Sequence, residues 1–153
     1  MIEVREGGLD EPQVEALLDY HYVNSHADTP EANAHALDVE ALRRDAAIAF
    51  YSAWEHDKLL GVAALRELAP GHGEVKSMRT SPEHLRKGVS RGLLNHILLT
   101  ARDRGYERLS LETGTAPSFA PANRLYENFG FVDAPAFGDY PPSDHNRFMT
   151  LAL

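Results

Sequence analysis

One stretch limits the folds open to this 153-residue chain more than any other. Residues 74–80 (EVKSMRT) read as a strand, residues 82–94 (PEHLRKGVSRGLL) turn through a basic, glycine-containing loop into a helix, and residues 108–112 (RLSLE) read as a second strand. Val89, Leu93, Leu94, Ile97, Leu98 and Ala101 recur at the helical period on one face, and Gly105 stands where a helix would stop. A strand, a covering helix and a following strand join as a parallel crossover. Among hairpins, such a unit makes a mixed α/β sheet.

The flanking patterns are those of hairpins. Ile2–Arg5 reads as a strand, and Asp10-Glu11-Pro12 opens a helix whose apolar stripe is Val14, Leu17, Leu18 and Tyr22. Residues 24–38 (NSHADTPEANAHALD) show little periodicity and read as a long loop, the kind that often lids a site, before a short helix over Val39–Arg44. Ala47–Glu55 and Leu59–Leu68 alternate around the turn His56-Asp57-Lys58, and Pro70-Gly71-His72-Gly73 turns the chain into the strand from Glu74. Phe119–Phe129 is amphipathic and stops at Gly130; Phe131–Asp133 and Asn146–Leu153 read as closing strands. The expected fold is one α/β domain over residues 1–153, with a mixed, mostly antiparallel sheet and helices on both faces.

Composition narrows the chemistry. A net charge of −8 disfavours nonspecific nucleic-acid binding, which needs a basic surface to displace phosphate counterions. There is no apolar run of membrane-spanning length and no signal-peptide core at the N-terminus. Cysteine is absent, which rules out disulfides and thiolate chemistry and is compatible with the expected cytoplasmic location. The eight histidines form neither His-x-His nor His-Glu-x-x-His, so no metal is expected.

The crossover turn carries the chemistry. Gly88, Ser90 and Gly92 keep bulk away from a helix entrance whose free N–H groups and positive dipole end point outward, and Arg86, Lys87 and Arg91 surround it with charge. Such a mouth suits a diphosphate. The Gly-x4-Gly-Lys-Ser/Thr pattern of a P-loop is missing, and Gly71-His72-Gly73 precedes its strand where a dinucleotide fingerprint would follow one.

On these residues the chain resembles a known family. Ser77–Leu94 resembles motif A of the GNAT superfamily of N-acetyltransferases, and Leu125-Tyr126-Glu127-Asn128-Phe129-Gly130-Phe131 resembles its motif B. The similarity runs from about Ala47 to the C-terminus. Gly88 matches the family pattern, whereas Leu85 stands where Gln or Arg is usual, Ser90 replaces Gly or Ala, and Phe119 sits where an asparagine is common. The segments SMRT, LSLETG and FGDY further resemble a bacterial group of small-molecule acetyltransferases labelled indole-acetic-acid acetyltransferase. That label does not define an acceptor, because indole-acetic acid has no amine.

The resemblance implies acetyl-CoA as cosubstrate, lying where strand 74–80 splays from strand 108–112. It implies cofactor contacts at Met78, Arg79, Thr80, Arg86, Lys87, Gly88, Val89, Ser90, Arg91, Asn123 and Tyr126. Backbone N–H groups near Met78 and Arg79 would polarise the thioester carbonyl. Tyr126 becomes the general acid for the departing sulfur, although periodicity alone would make it an ordinary helix tyrosine with a buried ring. Glu74 is the preferred general base and Glu112 its competitor, each with the alternative of being a plain strand-end carboxylate.

The substrate side is expected from the first helix, the loop over residues 24–38 and the segment Phe137–Tyr140, with His35, Arg79, Glu112 and Tyr140 as contacts. Strict strand alternation puts Lys76 and Met78 on one face and Arg79 on the other, so only one of the two basic residues would see the cleft. The expected partner is a small-molecule amine. A CoA-binding regulatory module without turnover and a protein or peptide N-acetyltransferase remain alternatives, and the exposed hairpin edges allow a homodimer.

Overall fold

The crossover is the centre of the observed fold. A computed structural model describes residues 1–30 and 35–153; the expected loop over residues 24–38 falls partly outside them. Seven strands, β1 (Glu3–Glu6), β2 (Ile48–Glu55), β3 (Lys58–Ala69), β4 (His72–Thr80), β5 (Arg108–Gly114), β6 (Val132–Asp133) and β7 (Asn146–Ala152), form one sheet in the order β1-β2-β3-β4-β5-β7-β6. Only β4 and β5 run parallel; every other neighbouring pair is antiparallel. No helix among the described residues is long and apolar enough to cross a membrane.

Among the described residues four α-helices cover the two faces. Helices α1 (Pro12–Ala27) and α2 (Val39–Arg44) pack Val14, Leu17, Leu18 and Leu42 against Phe50, Trp54, Val62 and Ala64. On the opposite face α3 (Val89–Asp103) presents the predicted stripe, all six residues of it buried, to Leu60, Leu65, Leu109, Leu111 and Met149, with α4 (Ala120–Asn128) alongside. Each fully buried leucine contributes about 1.5–3 kcal/mol of transfer free energy, so these stripes anchor the helices. Gly61 lets α3 approach closely: a Cβ there would lie 2.7 Å from Val89 Cγ1 and 3.0 Å from the Arg79 carbonyl oxygen. Ser52, the polar break in the β2 stripe, is buried but satisfied, donating to Gly7 O and accepting from Trp54 Nε1.

Three details depart from the sequence reading. Helix α1 continues to Ala27, four residues into the expected loop, and its buried stripe ends in His21 rather than Tyr22, which is exposed. Strand β4 begins at His72 instead of Glu74, so the turn before it is shorter than expected. Most consequential is a bulge in β4. Val62 pairs with Arg79 and Ala64 with Lys76, two steps along β3 against three along β4, with Ser77 at φ +53° as the extra residue. The bulge reverses the alternation: Lys76 and Arg79 both lie on the α1 face, opposite Ala64 and Val62, while Met78 packs into the α3 face.

Candidate active site

The parallel pairing of β4 with β5 lasts only from His72↔Arg108 to Val75↔Leu111. Beyond it the strands separate, leaving the β5-facing backbone of residues 76–80 without a ladder partner. A cleft of about 710 Å³ opens in the gap. It runs from the mouth of α3, past α4, to the last turns of α1.

At the α3 end, Arg86, Gly88, Val89, Ser90 and Arg91 line the cleft. Gly88 caps α3 in the left-handed region at φ +81°, and among the described residues no side chain caps the helix, so its first N–H groups stay available. Thr80 Oγ1 and Ser90 Oγ are bonded at 2.5 Å, tying the strand end to the helix start. Free amides, a helix dipole and two arginines meet the needs of a pyrophosphate. A backbone edge along residues 76–80 meets those of an amide-bearing arm, so the residues present fit a CoA thioester. Lys87 stands apart from this wall: its Nζ bonds His84 Nδ1 at 3.0 Å and the side chain is exposed.

Midway, Tyr126 lines the cleft on α4. Its position follows from how the helix stops. Gly130, at φ +99°, lets Gly130 N donate to Glu127 O and Phe131 N donate to Tyr126 O, a Schellman closure. The apolar contact that usually accompanies it is here the Tyr126–Phe131 pair, edge to face at 6.0 Å. The Leu-Tyr and Gly-Phe of the motif are therefore two ends of one helix stop that aims the tyrosine. Burial pushes the Tyr126 hydroxyl up to about 12, partly offset by the nearby Arg79 cation, so the phenol holds its proton. Asn123, expected at the cofactor, instead accepts from Thr113 Oγ1 at 2.8 Å and donates to Gly114 O at 3.1 Å. It fastens α4 to β5 and is absent from the cleft wall. Phe119 packs its ring over Gly114.

At the α1 end the bulge delivers two cations to one wall. Lys76 is consumed: its Nζ donates to Tyr140 Oη at 2.5 Å and to Glu74 Oε2 at 3.3 Å. Tyr140 Oη donates in turn to Glu74 Oε2 at 2.7 Å, and Arg66 Nη1 stands 3.9 Å from Glu74 Oε1. Burial and the adjacent Glu74 charge push the Tyr140 hydroxyl well above the usual phenol range. Tyr140 stands behind the wall rather than on it. Arg79 is differently placed. Its Nε donates to His21 Nδ1 at 2.9 Å and its guanidinium lies 5.6 Å from the centre of the Tyr20 ring.

Across from these, Glu112 Oε2 is bonded by His35 Nδ1 and by Asn146 Nδ2, the latter at 3.2 Å. Burial raises the Glu112 carboxyl above its ordinary range, and the bond to His35 pulls it back. His35, Glu112, Glu74, Lys76 and Arg79 all line the same cleft.

His21 and Asn146 escaped the sequence reading. For His21 a signal existed: positions 14, 17, 18 and 21 continue the i, i+3, i+4, i+7 series better than 22 does. Asn146 had none, since only the pairing of Glu112 with Phe148 and of Gly114 with Asn146 brings it beside Glu112.

Comparison with known proteins agrees with this geometry. The family model for the acetyltransferase (GNAT) family matches residues 13–131. The chain is 50% identical over 141 residues to YsnE of Bacillus subtilis (strain 168), an uncharacterized N-acetyltransferase, covering 92% of this chain and 93% of that one. It is 44% identical to YedL of Escherichia coli (strain K12), also an uncharacterized N-acetyltransferase, over 100% of this chain and 96% of that one. A GNAT family acetyltransferase from Elizabethkingia anophelis, crystallised with acetyl-CoA bound, superposes with a TM-score of 0.72 at 16% identity, over 99% of this chain and 98% of that one. The split parallel pair, the capped mouth of α3 and these matches together mean that the chain belongs to the GNAT family of acetyltransferases, enzymes whose acyl donor is acetyl-CoA.

Proposed function

We propose that the protein transfers an acetyl group to the amine of a small molecule, with Tyr126 as general acid and the His35–Glu112 pair as general base. The observation that carries this reading is the continuity of one cleft from the mouth of α3, past Tyr126, to His35 and Glu112. Acetyl-CoA, when bound, supplies the acetyl group as a thioester and leaves as a thiol. The N–H groups of Val89, Ser90 and Arg91 with Arg86 would hold its pyrophosphate, and the free backbone edge of residues 76–80 would hold its amide arm. Tyr126 Oη, protonated at neutral pH, would give its proton to the departing sulfur. His35, with Nδ1 turned to Glu112, would take the proton of the attacking amine at Nε2.

The preference for this pair over Glu74, the base favoured on the sequence, is geometric. Glu74 is 1% exposed and its Oε2 already accepts from Lys76 and Tyr140, with the Arg66 cation near Oε1. An Oε2 already engaged by two donors has less acceptor capacity left for a substrate proton. A small acceptor is favoured over a peptide because Asn24, Ser25, Asp28 and Thr29, at and just past the end of α1, wall that part of the cleft.

The test is to incubate the protein with acetyl-CoA and a panel of amines and read free thiol. Turnover that drops about 10²–10⁴-fold in kcat for Tyr126→Phe supports the reading. Tight CoA binding without thiol release on any amine would favour a regulatory module instead, and acetylation confined to peptides would move the substrate class.

A further inference from the structure

We infer that the acceptor carries a carboxylate beside its reacting amine, as an amino acid does, and that Arg79 is the side chain that binds it. This rests on the acetyl-transfer reading and narrows its substrate class. Arg79 is brought to the acceptor wall by the Ser77 bulge, which turns it towards α1 and away from the α3 face. There its Nε is committed to His21 Nδ1 and its plane to the Tyr20 ring, which orients the fork; among the described residues neither terminal nitrogen has a hydrogen-bond partner. Among the described residues no carboxylate lies within ion-pair distance of it. Asp28, the acidic group near enough to be felt, bonds Ser118 Oγ at 2.8 Å instead.

The neighbours make the missing anion more telling. His21 is held neutral by burial and by Arg79 and Lys76, so it orients the guanidinium without balancing its charge. Lys76, the other cation on this wall, is already neutralised by Glu74. A half-buried guanidinium with a locked plane and no counter-ion matches a bidentate carboxylate. The opposing wall carries Glu112 and His35, suited to an amine. One cleft thus presents a cation and a proton-accepting pair, the complement of an amino acid's two ends.

The test compares each ligand with its own amide. Protein saturated with CoA is titrated calorimetrically with N-acetyl amino acids bearing aliphatic, aromatic, acidic and basic side chains, and with the corresponding primary amides. At least one acid should bind tenfold or more tightly than its amide, and in Arg79→Gln that ratio should fall to near one. Glutamine can still donate to His21 Nδ1, and Arg79→Lys, which keeps the charge but loses the fork, should give an intermediate ratio. Equal binding of acids and amides by the wild type, no binding of any acid, or an acid-to-amide ratio unchanged in Arg79→Gln would overturn the inference. Thiol release with simple amines but with no amino acid would overturn it while leaving acetyl transfer intact. No thiol release with any amine would overturn acetyl transfer, and calorimetry would still decide the anchor.

Discussion

The two ends of the cleft are built from different materials. The α3 end is made of backbone: the amides of Val89, Ser90 and Arg91, the left-handed Gly88 and the unpaired edge of β4, all within one continuous strand–turn–helix. The α1 end is made of side chains from segments far apart in sequence: His21, His35, Arg79, Glu112 and Asn146. Amides can hold a common donor whatever the neighbouring residue types, whereas selectivity for an acceptor needs particular side chains in particular positions. On the proposed reading the donor end is therefore local and tolerant, the acceptor end distributed and fragile.

That contrast breaks most visibly under substitution at the acceptor end. His35→Gln and Glu112→Gln are each expected to lower kcat/KM by about 10²–10⁴-fold while CoA affinity, measured by calorimetry, stays within a few-fold. A matching loss of CoA binding would mean that the two ends are not separable. Glu74→Gln, by contrast, should disturb stability more than the pH profile of kcat, because its carboxylate serves the network with Lys76 and Tyr140.

The next effect reports on His21. Burial, then Arg79 and Lys76, push it down to about 3 from 6.5, so the native ring resists a proton that the unfolded chain accepts. Its contribution is present above about pH 6.5 and is lost as the pH falls towards 3, by about 1.4 kcal/mol per pH unit. Denaturant melts at pH 7 and 4.5 should show a shallower loss in His21→Asn, which accepts from Arg79 without titrating. An identical slope would place the buried histidine elsewhere in the balance.

At the donor end the expected changes are smaller. Gly88→Val puts a β-branched residue at φ +81°, at a cost of about 1–2 kcal/mol. CoA affinity should fall about tenfold, with the acceptor KM little changed. Asn123→Ala removes two hydrogen bonds between α4 and β5 and should cost about 1–2 kcal/mol of stability, with CoA affinity retained. A large drop in CoA affinity with normal stability would return Asn123 to the cofactor site. The smallest effect belongs to Ser77→Gly, which relieves a left-handed serine at φ +53° and should change stability by less than about 1 kcal/mol. Acceptor selectivity should persist, because the bulge, not the serine side chain, aims Arg79.

Local physics by itself determined the crossover, the buried stripe of α3, the stops at Gly105 and Gly130 and the basic mouth at Gly88. In each, the signal lies within one contiguous segment of strand, turn and helix, so periodicity and capping chemistry are legible without the fold. The tertiary structure alone decided which way Arg79 points, that Lys76 is neutralised, that Asn123 is a fastener and that His35 meets Glu112. The β4 bulge arises from pairing with β3, and a single inserted residue moves every later side chain to the opposite face. The His35–Glu112 contact spans 77 positions, a separation over which no local pattern operates.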